Sequence, residues 1–389
     1  MRLSYTSSFW LACSVLLLTF FVSGTPISLF NLYRLQEGLS NADLGIVSLG
    51  YFIAAASALL IFGRISNHTG RKPLLYTAIV CLLTSCALLL MMHSVSVLLL
   101  ARILQGFACG IASSNIAAYL VDVSEQQPGW LVALITSCSP MLGISGGAIS
   151  SGALATWGPA PRSLIYMLLM VILSSILVTT WFAQESIKPK GGWLLSLRPR
   201  LYLPEGKNKT FLTTAGVVIA TWSLGAFYQA FGPSVLAQKL NQSSAFMSAI
   251  AFSSVMILTP LGGYISRYYR PHIAIRLGMG AFIVASFTIL ISLKQGWLIS
   301  FIGASLLVGL SQGVATAACL HLLLHGITSE HRAGTLATVF VTSYSGAVFP
   351  GAIASAFAHN LSVFQLCMGY VGLGFVAATF AIIMSAKLE

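Results

Sequence analysis

Acid is what this sequence lacks. Of its 389 residues, eight are Asp or Glu and 7% carry any charge, against about a quarter in ordinary soluble domains. That excludes a soluble globular protein. The aspartates are Asp43 and Asp122; the glutamates are Glu37, Glu125, Glu185, Glu205, Glu330 and Glu389. None falls in the middle of an apolar run, so a carboxylate pair for acid–base chemistry inside the membrane is absent. No stretch between apolar runs is long enough for a signalling domain, which argues against a non-transporting membrane sensor. A Walker lysine loop, an HExxH pair and a nucleophile elbow are missing too. The first absence excludes a self-contained ATP-driven pump, and the others leave no enzyme to propose. The seven cysteines, at 13, 81, 86, 109, 138, 319 and 367, all lie within apolar runs. None sits where oxidation would pair it, so neither structural disulfides nor thiolate metal sites are expected. No metal and no cofactor are expected.

Apolar length is what the sequence has instead: 57% of it is hydrophobic. A membrane-crossing helix needs roughly 20 apolar residues. Such runs lie at about 9–32, 42–62, 74–93, 96–121, 130–156, 163–183, 211–237, 243–265, 273–292, 296–324, 334–358 and 362–386, twelve in all. The first is too long for a secretory signal, and "FFVSGTP" is a poor cleavage site, so it is expected to stay as a spanning helix.

The net charge of +12 would point to nucleic acid in a soluble protein. Its distribution points to a bilayer. With the N-terminus inside and each run crossing once, fifteen Lys and Arg fall on the side of the termini: Arg2, Arg64, Arg71, Lys72, Lys188, Lys190, Arg198, Arg200, Lys207, Lys209, Arg267, Arg270, Arg276, Arg332 and Lys387. The far side has four: Arg34, Arg162, Lys239 and Lys294. This asymmetry satisfies the positive-inside rule, so both termini read as cytoplasmic.

One basic, proline-bearing loop, "AQESIKPKGGWLLSLRPRLYLPEGKNKT" (183–210), splits the chain after the sixth run. The expected domains are a six-helix bundle over 1–183, a cytoplasmic linker over 184–210 and a second bundle over 211–389. The halves echo each other. "SGGAISSG" (145–152) aligns with "FPGAIASA" (349–356), and "QGFACG" (105–110) with "VGLSQG" (308–313), at offsets of 204 and 203. "GRISNHTGRKP" (63–73) has a weaker echo in "GGYISRYYRP" (262–271). The expected fold class is an all-α membrane protein, twelve transmembrane helices in two six-helix pseudo-repeats. Two parallel repeats about a central site are the architecture of a secondary transporter.

Three motifs carry a family resemblance. In the loop between the second and third runs, Gly63, Gly70, Arg71 and Lys72 match the pattern Gly-x-x-x-Asp-(Arg/Lys)-x-Gly-Arg-(Arg/Lys), with His68 and Asn67 in place of its first base and its acid. "RILQG" (102–106) places an arginine inside the fourth run. "LGISGG" (142–147) keeps Gly146 and Gly147 of a Gly-Pro-x-x-Gly-Gly motif, with Leu142 and Gly143 where Gly-Pro would stand. On these motifs the chain resembles the major facilitator superfamily along essentially its whole length, and within it the bacterial twelve-helix drug/metabolite:proton antiporters. "LRPRLYLP" (197–204) is similar to the central loop of family members without an assigned substrate. The resemblance implies the fold above and alternating access.

It also implies a conformational latch at Gly63, Asn67, Gly70, Arg71, Lys72 and Asp122. Asp122 closes the fourth run on the same side as Arg71, and the two are expected to pair; solvated positive-inside residues are the plainer reading. The family acid faces the N-terminus of the eleventh helix. Asparagine at 67 keeps a hydrogen bond and loses a charge–dipole attraction of about 0.3–1 kcal/mol. The latch should be looser by up to about fivefold in population.

Arg102 is either a coupling or substrate-binding residue inside the membrane or an interfacial arginine snorkelling outward. Gly143, Gly146 and Gly147 are expected to form a helix-5 gate, a tight contact between the halves that seals the pore; simple packing is the alternative. Asp43 reads as an N-terminal cap of the second helix or as an outer proton site. His321 and His325 lie one turn apart; His321 is a candidate proton carrier, or both are interfacial. The superfamily lines its central site with helices 1, 4, 7 and 10. That makes Ser23, Thr25, Asn31, Tyr33, Asn115, Trp222, Tyr228, Gln229 and Gln312 the cavity candidates.

The expected function is proton-coupled export of a drug-like compound or small metabolite, a siderophore or sugar derivative among them. Import or facilitated passage of a small polar solute is the alternative. The expected partners are a small-molecule substrate, protons and the lipid bilayer, without nucleic acid, for a monomer.

Overall fold

A computed structural model describes residues 3–189, 192–199 and 201–388. Arg2, Lys190 and Arg200, counted among the basic residues above, lie outside the described residues. Twelve helices there are long and apolar enough to cross a membrane. They are α1 (Tyr5–Glu37), α2 (Asn41–Phe62), α3 (Lys72–Leu90), α4 (Val95–Asp122), α5 (Gly129–Trp157), α6 (Leu164–Trp181), α7 (Asn208–Lys239), α8 (Ala245–Ser266), α9 (Pro271–Gln295), α10 (Leu298–Leu324), α11 (His331–Phe357) and α12 (Val363–Leu388). The protein is a multi-pass membrane protein. An even number of crossings leaves both termini on one side, called here the terminal side.

Local chemistry sets the helix ends. Ser40 opens α2 through a reciprocal capping box: its Oγ accepts from the Asp43 N–H at 3.1 Å, and Asp43 Oδ2 accepts from the Ser40 N–H at 2.8 Å. Ser362 and Gln365 repeat the device at α12. Gly296 ends α9 with φ +74°, the left-handed cap that suits glycine. Two helices are interrupted. A π-helical turn over Ala112–Ile116 divides α4. In α8, Ala245–Ile257 gives way to Thr259–Ser266 at Leu258, next to Pro260.

The chain forms two compact units, Met1–Leu29 with Gly50–Pro199, and Phe30–Leu49 with Arg200–Glu389. In the first, α4 lies directly on the α2 backbone. A Cβ added at Gly106 would stand 2.2 Å from the Tyr51 carbonyl oxygen, and one at Gly110 2.5 Å from that of Ala55. In the second, α10 does the same to α8: Gly309 meets the Val255 carbonyl at 2.8 Å and Gly313 that of Thr259 at 2.0 Å. The glycines are 203 residues apart and their partners 204. The sequence echo is therefore a packing echo: each half uses the same two glycines for the same helix contact.

Glycines also join α5 to α1. A Cβ at Gly143 would lie 2.8 Å from the Leu17 carbonyl, and one at Gly147 1.8 Å from that of Phe21. A Cβ at Gly146 would meet only the Phe21 ring, at 3.4 Å. The expectation put this close approach between the halves; these contacts are within the first unit, α5 on α1. Gly346 brings α11 onto α7 in the same way, 2.9 Å from the Ile219 Cα.

Candidate functional site

Two polar centres stand out in the first unit. One is at the terminal side, where α2 turns into α3. Gly63 sits where a Cβ would lie 2.4 Å from the Leu59 carbonyl, so only glycine lets α2 turn this sharply. A single helical turn, Ser66–Thr69, follows and ends at Gly70 with φ +95°. A Cβ there would stand 2.6 Å from Glu185 Oε2. The missing side chain admits that carboxylate, which accepts from the Arg71 N–H at 2.7 Å and the Lys72 N–H at 3.0 Å. Glu185 thus occupies the N-terminus of α3, where an anion gains about 0.3–1 kcal/mol.

The Arg71 guanidinium turns the other way. Its Nε donates to Asp122 Oδ2 at 2.8 Å, at the end of α4, and its Nη1 donates to Ser66 Oγ. Asp122 Oδ2 also accepts from Ser186 Oγ at 2.9 Å. Lys72 Nζ donates to the Trp181 carbonyl at 3.0 Å, a cation on the last turn of α6. Tyr119 donates to the Gln184 carbonyl at 2.8 Å, and Gln184 donates to that of Leu3 at 2.6 Å. The segment after α6 is therefore stitched to α3, to α4 and to Leu3, just before α1. Asn67 is exposed on the turn.

Sequence reasoning missed Glu185, Ser66 and Ser186. A signal existed for the first: Glu185 is one of two acids, with Glu205, in the otherwise basic stretch beyond the sixth apolar run.

The second centre is Arg102, with no exposed surface. Burial sets aside the snorkelling reading. Its place follows from packing. Gly106, one turn on, lets α4 settle on α2 at Tyr51, and the Tyr51 ring then lies under the guanidinium at 4.2 Å. Nη1 donates at 2.7 Å to the Ser23 carbonyl and at 2.7 Å to Gln105 Oε1. Gln105 Nε2 reaches the Val22 carbonyl at 3.4 Å, as does Thr25 Oγ1 at 2.7 Å. That carbonyl is open because Pro26, four residues on, has no N–H to give it. These partners of Arg102 are all neutral groups on α1, α2 and α4. Ser23 Oγ and Cys109 Sγ, 3.0 Å apart, continue the network.

The remaining candidates divide by environment. Asp43 is engaged in its capping box. Asn115 Nδ2, inside the π-turn of α4, donates to the Phe62 carbonyl at 3.0 Å and so closes the end of α2. In the second unit Asn31 Oδ1 accepts from Arg34 Nη2 at 3.1 Å. Tyr33 is buried. The Tyr228 hydroxyl bonds Ser305 Oγ at 2.5 Å, and its ring stacks on Phe301. Ser305 stands 203 residues after Arg102, so the two pseudo-equivalent positions each tie the fourth helix of a half to its first. Gln229 is buried, and its Nε2 has no hydrogen-bond partner among the described residues. Trp222, half-buried, meets Tyr344 edge-on at 5.0 Å; Gln312 is also half-buried. His321 and His325 are both exposed at the end of α10, ring centroids 6.1 Å apart. Lys207 Nζ caps that helix end, donating to the Leu322, Leu323 and His325 carbonyls. Among the described residues no cluster of three His, Cys, Asp or Glu could hold a metal.

Known proteins place this architecture. The chain is 25% identical to the multidrug resistance protein MdtG of Dickeya zeae over 64% of its own length and 63% of that protein's. It is 22% identical to a chloramphenicol resistance protein of Pseudomonas aeruginosa over 78% and 72%. A shorter match, 31% identical, spans 30% of the chain and about a third, 31%, of the multidrug resistance protein MdtL of Klebsiella pneumoniae subsp. pneumoniae. Its fold superposes on a crystal structure of the nucleoside transporter NupG with a TM-score of 0.71 at 12% identity, covering 97% of this chain and 99% of that one. The sequence model of the Major Facilitator Superfamily matches residues 11–352, and the chain belongs to that superfamily of membrane transporters.

Proposed function

We propose that this transporter is a proton-coupled exporter working by alternating access, and that its substrate is a drug-like compound or small metabolite, a siderophore or sugar derivative included. The observation that carries the reading is Arg102, a cation with no exposed surface in the fourth helix. A charge held inside a membrane is costly and is kept for a function. In this reading its guanidinium, held by the Ser23 carbonyl, Gln105 Oε1 and the Tyr51 ring, is the group that meets a substrate anion or a moving proton. The resistance proteins named above support export of drug-like molecules. The glycines of α5 support the exporter group, with Leu142 and Gly143 departing from its motif.

In the same reading, the network around Arg71, Asp122 and Glu185 is the latch on the cytoplasmic side. Gln229, Trp222 and Gln312 contribute to the substrate path, and the protein works as a monomer in the bacterial inner membrane with both termini inside. The test is transport in proteoliposomes. A labelled panel with chloramphenicol in it is followed with an imposed pH gradient and after an uncoupler collapses it. Accumulation against the substrate's own gradient that vanishes with the uncoupler is the expected result. Movement only down that gradient, indifferent to the uncoupler, would leave a facilitator.

A further inference from the structure

The turn between α8 and α9, on the terminal side, carries a cluster of side chains that the transport reading leaves unused. α8 ends at Ser266 and α9 starts at Pro271, so only 267–270 join two membrane-crossing helices. A turn that short between two spans stands at the membrane surface, in the headgroup layer.

Arg267 is held there by two rings. Its guanidinium lies 4.2 Å from the centroid of the Tyr264 ring and 5.3 Å from that of Tyr268. The Tyr268 hydroxyl donates to the Tyr264 hydroxyl at 2.9 Å, which ties the rings to each other. Tyr264, Arg267, Tyr268 and Arg270 are all exposed. Tyrosine, apolar with a polar tip, suits the headgroup layer.

No carboxylate answers these cations. Between Glu205 and Glu330 the chain has no acid at all, and neither Arg267 nor Arg270 forms an ion pair among the described residues. The echoing turn of the first unit closes on its own chain: Arg71 donates to Asp122, and Glu185 accepts from the Arg71 N–H. The second unit keeps a turn of the same kind and its arginines, with no acid paired to them among the described residues.

We propose that the α8–α9 turn binds an anionic phospholipid, whose phosphate accepts hydrogen bonds from the Arg267 guanidinium and lies beside Arg270. The two rings orient the guanidinium without neutralising it, so its counter-anion comes from outside the chain. In the headgroup layer that anion is a lipid phosphate. Two cations, and no carboxylate for a choline or ethanolamine ammonium, select a lipid of net negative charge. The site shares no residue with the candidate functional site and stands whatever the direction or coupling of transport.

Purified protein in detergent micelles is titrated with phosphatidylglycerol or phosphatidylcholine, and bound lipid is counted by native mass spectrometry. Phosphatidylglycerol should bind about tenfold more tightly or better, as two cations at a membrane surface imply. Arg267→Gln and Arg270→Gln should each weaken it about fivefold, and Lys239→Gln, on the far side, should not. Tyr264→Leu keeps both charges and loses a ring, and should weaken it about two- to fivefold. Arg267→Lys keeps the charge and loses the planar fork, and should fall between wild type and Arg267→Gln. These side chains are exposed, so the unfolding temperature without added lipid should match the wild type. Equal binding of the two lipids, or binding indifferent to Arg267→Gln, would overturn the proposal. Indifference to both Tyr264→Leu and Arg267→Lys would leave the diffuse attraction of a basic surface and overturn the site. Inorganic phosphate displacing phosphatidylglycerol at equal concentration would make it a site for a soluble anion and overturn the lipid.

Discussion

Arg102 shows how one side chain is held by the backbone faults around it. A proline frees the Val22 carbonyl for Gln105, a glycine lowers α4 onto α2, and the guanidinium lands between the Ser23 carbonyl, the Gln105 amide oxygen and a ring. Arg102→Ala should lower substrate-driven transport by about 10–100-fold, the loss of charged hydrogen bonds worth about 1.5–3 kcal/mol. Arg102→Lys keeps the charge and loses the planar fork; transport assays should place it between the two. At the latch, Asn67→Asp should shift the population by no more than about fivefold. The labelling rate of a cysteine placed in the substrate path measures that shift. Glu185→Gln should loosen the start of α3, read as faster amide exchange at Arg71 and Lys72, whose N–H groups the carboxylate holds. The charged ends of this network were legible, because Arg71 and Asp122 are rare charges at the ends of apolar runs. Glu185 stood out only as a rare acid; its partners were not legible, because they depend on the chain folding back after α6, which no local pattern records.

At the scale of helices, close approach is set by glycine. Gly147→Ala would place a methyl against the Phe21 carbonyl. We expect it to cost about 1–3 kcal/mol through overpacking, read as a lower unfolding temperature in detergent. Gly225→Ala, with nothing within 4 Å of its Cβ, should leave that temperature unchanged or raise it. Gly106→Ala and Gly309→Ala should destabilise to a similar degree, since both press a Cβ onto a carbonyl of the neighbouring helix. All twelve helices were legible as apolar runs, and their ends differ by a few residues at most; α1 gains most, reaching Tyr5 and Glu37. The π-turn at Ala112–Ile116 and the break at Leu258 left no mark in hydropathy, because they change hydrogen bonding rather than composition. The glycine echo at an offset of 203 was readable, yet its meaning as a shared helix contact needed coordinates.

At the scale of the molecule, the linker is tied down at both ends. Gln184, Glu185 and Ser186 bond the first unit, and Tyr202 bonds α11 of the second through Gly334 and Thr338. Each unit thus carries its own polar network and its own copy of the glycine contact, which fits the proposed alternating access by two bundles. Proton coupling through Arg102 is the central claim, and substrate-evoked proton flux tests it most directly. Proteoliposomes enclosing a pH-sensitive dye would be given a compound that the transport panel shows to be moved. The account predicts a proton flux opposite to the substrate in the wild-type protein, lost in Arg102→Ala. Substrate movement with no proton flux, or a flux unchanged in Arg102→Ala, would contradict it.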